Sequence, residues 1–468
     1  MTDNRSPEST AKHAGISGNP PTAGAIPGIV GIGLLGCGNV GGALVELLET
    51  EGEDISARTG ISPNVRLIGV KNSAKPRPKA VRAEVLTENL MSVIEDARVD
   101  VVIELMGGVE PAGTLILEAL RRGKPVVTAN KELMATRGAE LSRAAEQAGV
   151  DLLYEAAVGG AIPIIRPLRE SLAGERMERL MGIVNGTTNF MLTCMSDDAL
   201  TYSEALVAAQ ESGLAEADPS ADVDGHDAAA KVAILASIAF GGEVGVERVY
   251  REGISQLSPV DIAYARRLGF EVKLLAVAER THSDDAGVVD IAVRVHPAMV
   301  PRSHPLALVR GAFNAVFIEG GAVGELMLYG RGAGGRPTAG AVLGDLIDAV
   351  RNLRSGSCGT SGTSSPIRIR PMDDLCSQYY LSMEVLDRPG VLAAVAEVFG
   401  RHSVSIRVME QVGLADEARL VFLTHVAREA DVQATMAELD CLEVVERMGG
   451  MLRVVSAGEA TEEGGWRT

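Results

Sequence analysis

The segment from Ile29 to Glu49, IVGIGLLGCGNVGGALVELLE, restricts the fold of this chain more than any other stretch. Ile29–Leu35 reads as a buried strand, and Gly36-x-Gly38-x-x-Gly41 turns it directly into an amphipathic helix. Glycines at this spacing permit a tight turn and a close approach of main chain to a pyrophosphate, which rests on the helix N-terminus. The motif alone is weak evidence; a strand before it and a helix after it supply the setting that a dinucleotide fingerprint requires. Gly36, Gly38, Asn39, Val40 and Gly41 are therefore candidate cofactor-binding residues.

The following stretch keeps the α/β rhythm. A second strand is predicted over 65–70, a third over 99–105 leading into Met106-Gly107-Gly108, and a fourth over 125–128 leading into Ala129-Asn130-Lys131. A helix is predicted over 111–122 between the last two. Strands alternating with helices imply a parallel sheet of Rossmann type, with ligands beyond the carboxyl ends of its strands. Met106, Gly107 and Lys131 thus face the nucleotide. At the end of the second strand an NAD site ordinarily carries an acid. Here stands Lys71, followed by Lys75, Arg77 and Lys79. Cations there fit a 2′-phosphate, so NADP(H) is the preferred cofactor and NAD(H) the alternative; a solvated basic loop is the plainer reading of the last three.

The other focus is GLAEADPSADVDGHDAAAK, residues 213–231, which carries Glu216, Asp218, Asp222, Asp224 and Asp227 on an irregular segment before Lys231. Lys231 is predicted in the first turn of a core helix, KVAILASIAF, too short for a bilayer. Asp227 lies four residues earlier on the same helix face, at the end favoured by the dipole. A lysine at the mouth of a buried helix, ringed by acids, suits a polar zwitterion and a proton transfer. The plain alternative is an acidic cap with one helix ion pair.

A net charge of −18 argues against non-specific nucleic-acid binding, and no stretch reaches transmembrane length. Five scattered cysteines fit neither a disulfide framework nor a CxxC site, so a reducing cytoplasm is expected. Residues 1–27, rich in Pro, Gly, Ser and Thr, read as a disordered extension.

Taken together, GLLGCGNVG, VVIELMGG, VVTANKEL, EAAVGGAIPII, GIVNGTTNF, the acidic stretch and GRGAGGRPTAGAVLGD resemble homoserine dehydrogenase, over nearly all of 29–455. The resemblance implies reduction of L-aspartate 4-semialdehyde to L-homoserine with NAD(P)H, on the route to threonine and methionine. It implies that Lys231 is the general acid/base, assisted by Lys131. It places Glu216, Asp222, Asp227, Gly186 and Thr187 at the substrate, and Gly335 beside the cofactor in the turn before Pro337. It also implies a monovalent cation, Na⁺, on main-chain carbonyls of Glu155, Val158, Gly160 and Ile162. Two rivals stand beside it: another NAD(P)-dependent oxidoreductase of this plan, and a non-catalytic nucleotide and amino-acid sensor. Cys194 invites a third reading, as the nucleophile of an acylating dehydrogenase. His226 reads as filler. With the nucleotide fold starting at Ile29, no kinase module is expected ahead of it.

The expected domains are 28–155 for the nucleotide, with a helix over 338–353 packing back on it, and 156–337 for substrate and dimerisation as an α+β mixed sheet. RSGSCGTSGTSSP opens a flexible linker over 354–374. Residues 375–457 run strand, helix, strand, strand, helix, strand and resemble a ferredoxin-like ACT domain, followed by a tail over 458–468. In such domains the turn after the first strand, here Asp387, Arg388, Pro389, Gly390, Val391 and Leu392, holds a small amino acid. Threonine is the implied effector and a homodimer or homotetramer the implied assembly; a module that only dimerises is the alternative.

Overall fold

Parallel strands cannot be joined by tight turns, so each must be followed by a crossover that covers a face of the sheet. The computed structural model describes residues 28–282, 288–359, 366–414 and 417–455, so the expected extension 1–27 and tail 458–468 lie outside the described residues. Its first part follows that rule: β1 (Ile29–Leu35), α1 (Asn39–Thr50), α2 (Gly52–Thr59), β2 (Ser62–Gly69), β3 (Leu86–Thr87), α3 (Leu90–Glu95), β4 (Val101–Glu104), α4 (Ala112–Arg121), β5 (Val126–Thr128), α5 (Lys131–Ala148) and β6 (Leu152–Leu153). The order is β3-β2-β1-β4-β5-β6 with every pairing parallel. The direction of winding reverses between β1 and β4, where a crevice opens at the strand ends. β2 begins three residues before the predicted strand, because it pairs with β1 from Ile29 opposite Ser62.

The second part comprises β7 (Met177–Ile183), α6 (Gly186–Asp197), α7 (Tyr202–Glu211), α8 (Ser220–Val223), α9 (His226–Phe240), β8 (Tyr250–Arg251), α10 (Pro259–Arg267), β9 (Phe270–Arg280), β10 (Val289–Pro301), β11 (Phe313–Gly320) and β12 (Gly324–Arg331). Helix α11 (Gly335–Ser355) then returns to the first sheet, where Ala339, Val342, Leu346, Ala349 and Val350 are buried with Ile32, Leu34, Ile103 and Val127. From its second turn to its fifth this helix therefore closes one face of the nucleotide sheet, and its first turn reaches the crevice.

The linker expectation over 354–374 needs correction at 367–369, while residues 360–365 lie outside the described residues. β13 (Ile367–Ile369), inside 354–374, adds to β10 as a parallel strand, and Arg368 and Arg370 grip the buried Asp290 at 2.7–2.9 Å. The alternation Ile-Arg-Ile-Arg supplies one packing face and one charged face. The C-terminal part, β14 (Cys376–Leu386), α12 (Val391–Arg401), β15 (Ile406–Leu414), β16 (Glu417–Thr424), β17 (Ala427–Arg428), α13 (Glu429–Leu439) and β18 (Val445–Val454), is not swung on a tether either. β18 pairs with β10, so one 12-stranded sheet has the main path β12-β11-β7-β9-β10-β18-β14-β16-β15, with β8 and β13 on β10 and β17 on β14 as branches. Asp261 in the first turn of α10 accepts hydrogen bonds from Tyr380 (2.9 Å) and Ser382 (2.7 Å), and buried Arg453 donates to Glu252 and Glu429 at 2.5 Å each. These polar joints fix the C-terminal domain against the substrate domain.

Candidate active site

The crevice is built from strand ends. Gly36 has φ +94°, and a Cβ there would meet the carbonyl of Leu105 at 2.7 Å. A Cβ at Gly41 would meet the oxygen of Gly36 at 2.5 Å, so the turn and α1 close on each other only without side chains. Gly38 precedes α1 with open space above it, leaving the amides of Asn39 and Val40 at the helix start free for an anion. Gly335, the first residue of α11, abuts the Asn39 side chain. These residues fit a pyrophosphate.

Buried Glu104 at the end of β4 organises the neighbouring loops. Its carboxylate accepts from the amides of Met106 (2.7 Å) and Gly107 (3.2 Å) and from the Thr128 hydroxyl (2.6 Å). Asn130 caps α5 and donates to the Gly108 carbonyl at 2.7 Å, binding the two loops together. Lys131, the next residue, is thereby aimed across the crevice. Lys71 is exposed just past β2, whereas Arg77 turns back to donate to the carbonyls of Asn72, Ser73 and Lys75.

From the other side come α6 and α9. Asn185 caps α6, accepting from the Thr188 amide at 2.9 Å, and its amide group donates to Asp222 (2.6 Å) and Asp227 (2.9 Å). Lys231 is buried and donates to Asp227 Oδ2 and to the Val184 carbonyl, each at 2.7 Å. Lys131 ion-pairs with Asp227 Oδ1, so one carboxylate takes both lysines. Burial would raise the Asp227 carboxyl, but Lys231 and Lys131 together hold it far below the usual carboxylate range. Helix α9 starts at His226, so Lys231 stands in its second turn rather than its first; Gly225, at φ +78°, ends the preceding turn and releases a helix-favouring run of alanines.

Not every predicted acid converges. Asp218 folds back on Ser220 (2.5 Å), Asp224 is exposed, and the Glu216 side chain is exposed with no hydrogen-bond partner among the described residues. The lysine is therefore met by Asp227 and, through Asn185, by Asp222, not by a ring. His226 is exposed. Gly186 begins α6 where a Cβ would meet the Ala312 carbonyl oxygen at 2.9 Å, and Thr187 donates to Leu214 O at 2.9 Å, tying the cap to the acidic segment. Cys194 lies on α6, where burial, then Asp198 and Asp197, push its thiol up, the wrong direction for a nucleophile. Glu104, Val184 and Asn185 went unread in the sequence. An Asn before Gly at a strand-to-helix turn is a cap signal, but its second partner is set by folding.

The Glu155 carboxylate accepts from the amides of Ile164 (2.6 Å), Ile165 (2.8 Å) and Arg166 (2.7 Å), and its own amide donates to Asp345. Gly159 and Gly160 have φ +76° and +56°. Among the described residues no donor reaches the carbonyl oxygens of Val158, Gly160 or Ile162, whereas that of Glu155 accepts from the Val158 amide at 3.4 Å. Burial, chiefly, pushes Asp345 up to about 7, opposed by the Glu155 amide and Arg166. The native state then keeps a proton that the unfolded chain loses above its ordinary value, about 3.9. Stability is expected to fall from about pH 4 to about pH 7, by about 1.4 kcal/mol per unit at most, and to level off above. Asp345→Asn is expected to remove that slope in urea titrations at pH 5 and 7.5.

In the C-terminal domain a cavity of ≈ 370 Å³ is lined by residues 385–392 with Gln411 and Leu420. Gly390 (φ +95°) precedes α12, whose first residues are Val391 and Leu392, and Asp387 accepts from Gln411 at 3.4 Å. Among the described residues no helix is long and apolar enough to cross a membrane, and no group of three His, Cys, Asp or Glu gathers as metal ligands.

Known proteins match this architecture. Residues 36–155 match the family model "Homoserine dehydrogenase, NAD binding domain", 163–347 the model "Homoserine dehydrogenase" and 379–442 the ACT domain. The chain is 49% identical over 436 residues to homoserine dehydrogenase of Mycobacterium tuberculosis (strain ATCC 25618 / H37Rv), covering 92% of this chain and 98% of that one. It is 41% identical to the Bacillus subtilis (strain 168) enzyme, over 91% and 98% of the two chains. The crystal structure of a homoserine dehydrogenase from Thiobacillus denitrificans superposes with TM-score 0.85 and 40% identity over 92% of this chain and 99% of that one. A hyperthermophilic archaeal homoserine dehydrogenase mutant in complex with NADPH gives 0.57 and 29%, over 69% and 98%. The sensor and other-oxidoreductase readings are not favoured. With two lysines from opposite domains on one carboxylate beside a nucleotide crevice, and these relatives over nearly its whole length, the chain belongs to the homoserine dehydrogenase family of oxidoreductases.

Proposed function

We propose that Lys231 is the acid that protonates the carbonyl oxygen of L-aspartate 4-semialdehyde as it becomes L-homoserine, in the biosynthesis of threonine and methionine. The observation that carries this is its placement, buried and held between the Val184 carbonyl and Asp227 at the edge of the crevice. When bound, the reduced nicotinamide supplies the hydride. Negative charge then grows on the aldehyde oxygen, and an ammonium fixed there stabilises the transition state more than the ground state. Asp227 orients Lys231 and Lys131 rather than meeting the substrate first. Glu216 and Asp222 receive the substrate ammonium, while Gly186 and Thr187 form the wall at the start of α6.

NADP(H) is the preferred cofactor. Lys71 supports it, since it stays exposed at the strand end. A monovalent cation, Na⁺, is held by the carbonyls of Val158, Gly160 and Ile162, which lack internal donors. Threonine occupies the cavity at Asp387 and Gly390. The sheet edges β12 and β15, with exposed Tyr329, Val408 and Met409, support assembly as a homodimer or homotetramer.

The test is a steady-state assay of purified protein with NADPH and NADH, with and without L-threonine and NaCl. We expect semialdehyde-dependent oxidation with a lower KM for NADPH, and inhibition by threonine that Asp387→Ala relieves. Binding of both ligands without turnover would establish the sensor instead.

A further inference from the structure

One to three turns beyond the two lysines, α5 and α9 border a groove of ≈ 480 Å³ that the reaction does not use. Its size is that of small-molecule sites, roughly 300–1,000 Å³. The walls are apolar: Ala135 and Ala139 on α5, Ile234 and Ile238 on α9, and Leu168 between them. The lining also holds donors: Thr136, Ser142 and Arg143 of α5, Ser237 of α9, and, away from both helices, Tyr154 and Arg169. Tyr154, just after β6, is half-buried; its hydroxyl has no hydrogen-bond partner among the described residues and is not among the sealed, unsatisfied polar atoms, so it opens to the groove. Arg169 donates one N–H to the Gly359 carbonyl at 2.5 Å and has no carboxylate partner among the described residues, in a chain of net charge −18. Exposed Glu243 and Glu247 stand in the remaining lining, beyond the end of α9.

A guanidinium and a phenol side by side recognise a carboxylate, apolar walls recognise an aliphatic body, and two glutamates recognise an ammonium. We propose that this groove is a second binding site, for an aliphatic α-amino acid: its carboxylate on Arg169 and Tyr154, its side chain against Ala139, Ile234 and Ile238, its ammonium toward Glu243 and Glu247. The site is separate from the cavity at Asp387. Because α5 begins with Lys131 and α9 carries Asp227 and Lys231, a molecule lodged between them fixes the spacing of the two lysines and alters turnover. That kinetic consequence rests on the proposed role of Lys231; the binding itself does not.

Isothermal titration and thermal melting of the full chain with L-leucine, 4-methylpentanoate and isopentylamine test the assignment. Leucine is expected to bind saturably, 4-methylpentanoate about tenfold more weakly for want of the ammonium, and isopentylamine not detectably. Arg169→Gln is expected to weaken leucine by about tenfold or more and Tyr154→Phe by about fivefold. Ala139→Leu fills the groove with a helix-favouring residue and is expected to abolish binding while leaving turnover without leucine unchanged. Asp387→Ala is expected to leave leucine binding intact. Absence of saturable leucine binding overturns the proposal, as does binding that survives both Ala139→Leu and Arg169→Gln or vanishes in Asp387→Ala. Should Ala139→Leu not fold, Arg169→Gln and Tyr154→Phe, which keep size and polarity near the original, decide the same question. Loss of turnover in the unmodified chain with leucine binding retained would count against Lys231 and not against the groove.

Discussion

Lys231→Ala is expected to lower turnover by about 10²–10⁴-fold, the range of losing a positioned acid/base group. The size of the effect follows from what no neighbour replaces. Lys131 shares Asp227, but its side chain is 46% exposed and approaches from the nucleotide domain, whereas that of Lys231 is 11% exposed and held by two acceptors. Of the two, Lys231 is the one largely shielded from water, where a fixed ammonium does most for a developing oxyanion. Cofactor binding is expected to survive, since the turn from Gly36 to Gly41 is built by contacts with Leu105 and within α1. Single-turnover reduction and nicotinamide fluorescence titration check the two halves separately. Near-normal turnover would remove Lys231 from the mechanism.

How far these roles are legible in the sequence depends on how local their causes are. β1 and the start of α1 follow from a few adjacent residues, and the structure has both where the glycine spacing puts them. The pairing of Asp227 with Lys231 is equally local, being four residues along one helix. The joint that makes a site of them is not. Asn185 reaches Asp222 and Asp227 across 37 and 42 residues, and Lys131 reaches Asp227 across 96. No periodicity encodes such distances. The strand that follows the glycine- and serine-rich run escapes the sequence for the same reason: three residues carry little local signal, and β13 is specified by an edge of β10 and the buried Asp290 far away. The same holds for β18, whose pairing with β10 welds the C-terminal domain to the substrate sheet.

Asp227→Asn is expected to cost about 10²-fold or more in kcat/KM while the cofactor still binds, because displacement of reacting groups by about 1 Å is enough for that loss. The carboxylate accepts from Lys231, Lys131 and Asn185 at once. An amide offers one acceptor oxygen and turns an N–H toward an ammonium, so at least one lysine leaves its place. Stability should fall too. Removing one partner of a buried pair costs roughly 3–5 kcal/mol, and here the Lys231 pair carries most of it; the half-exposed Lys131 contributes little after screening by water. The sign of the pH dependence follows from the depressed carboxyl. Above about pH 4 both native and unfolded carboxyls are ionised and the wild-type advantage is complete. Below that the unfolded chain takes up a proton that the native state refuses, so the advantage shrinks as pH falls toward the native value. Urea titrations of wild type and variant at pH 7 and pH 3 are expected to show a large gap closing to a small one. A gap independent of pH would mean that shape, not charge, holds the site. The double variant Lys231→Met, Asp227→Asn separates the two consequences: with no ammonium left buried beside the amide, it is expected to regain part of the stability and none of the turnover.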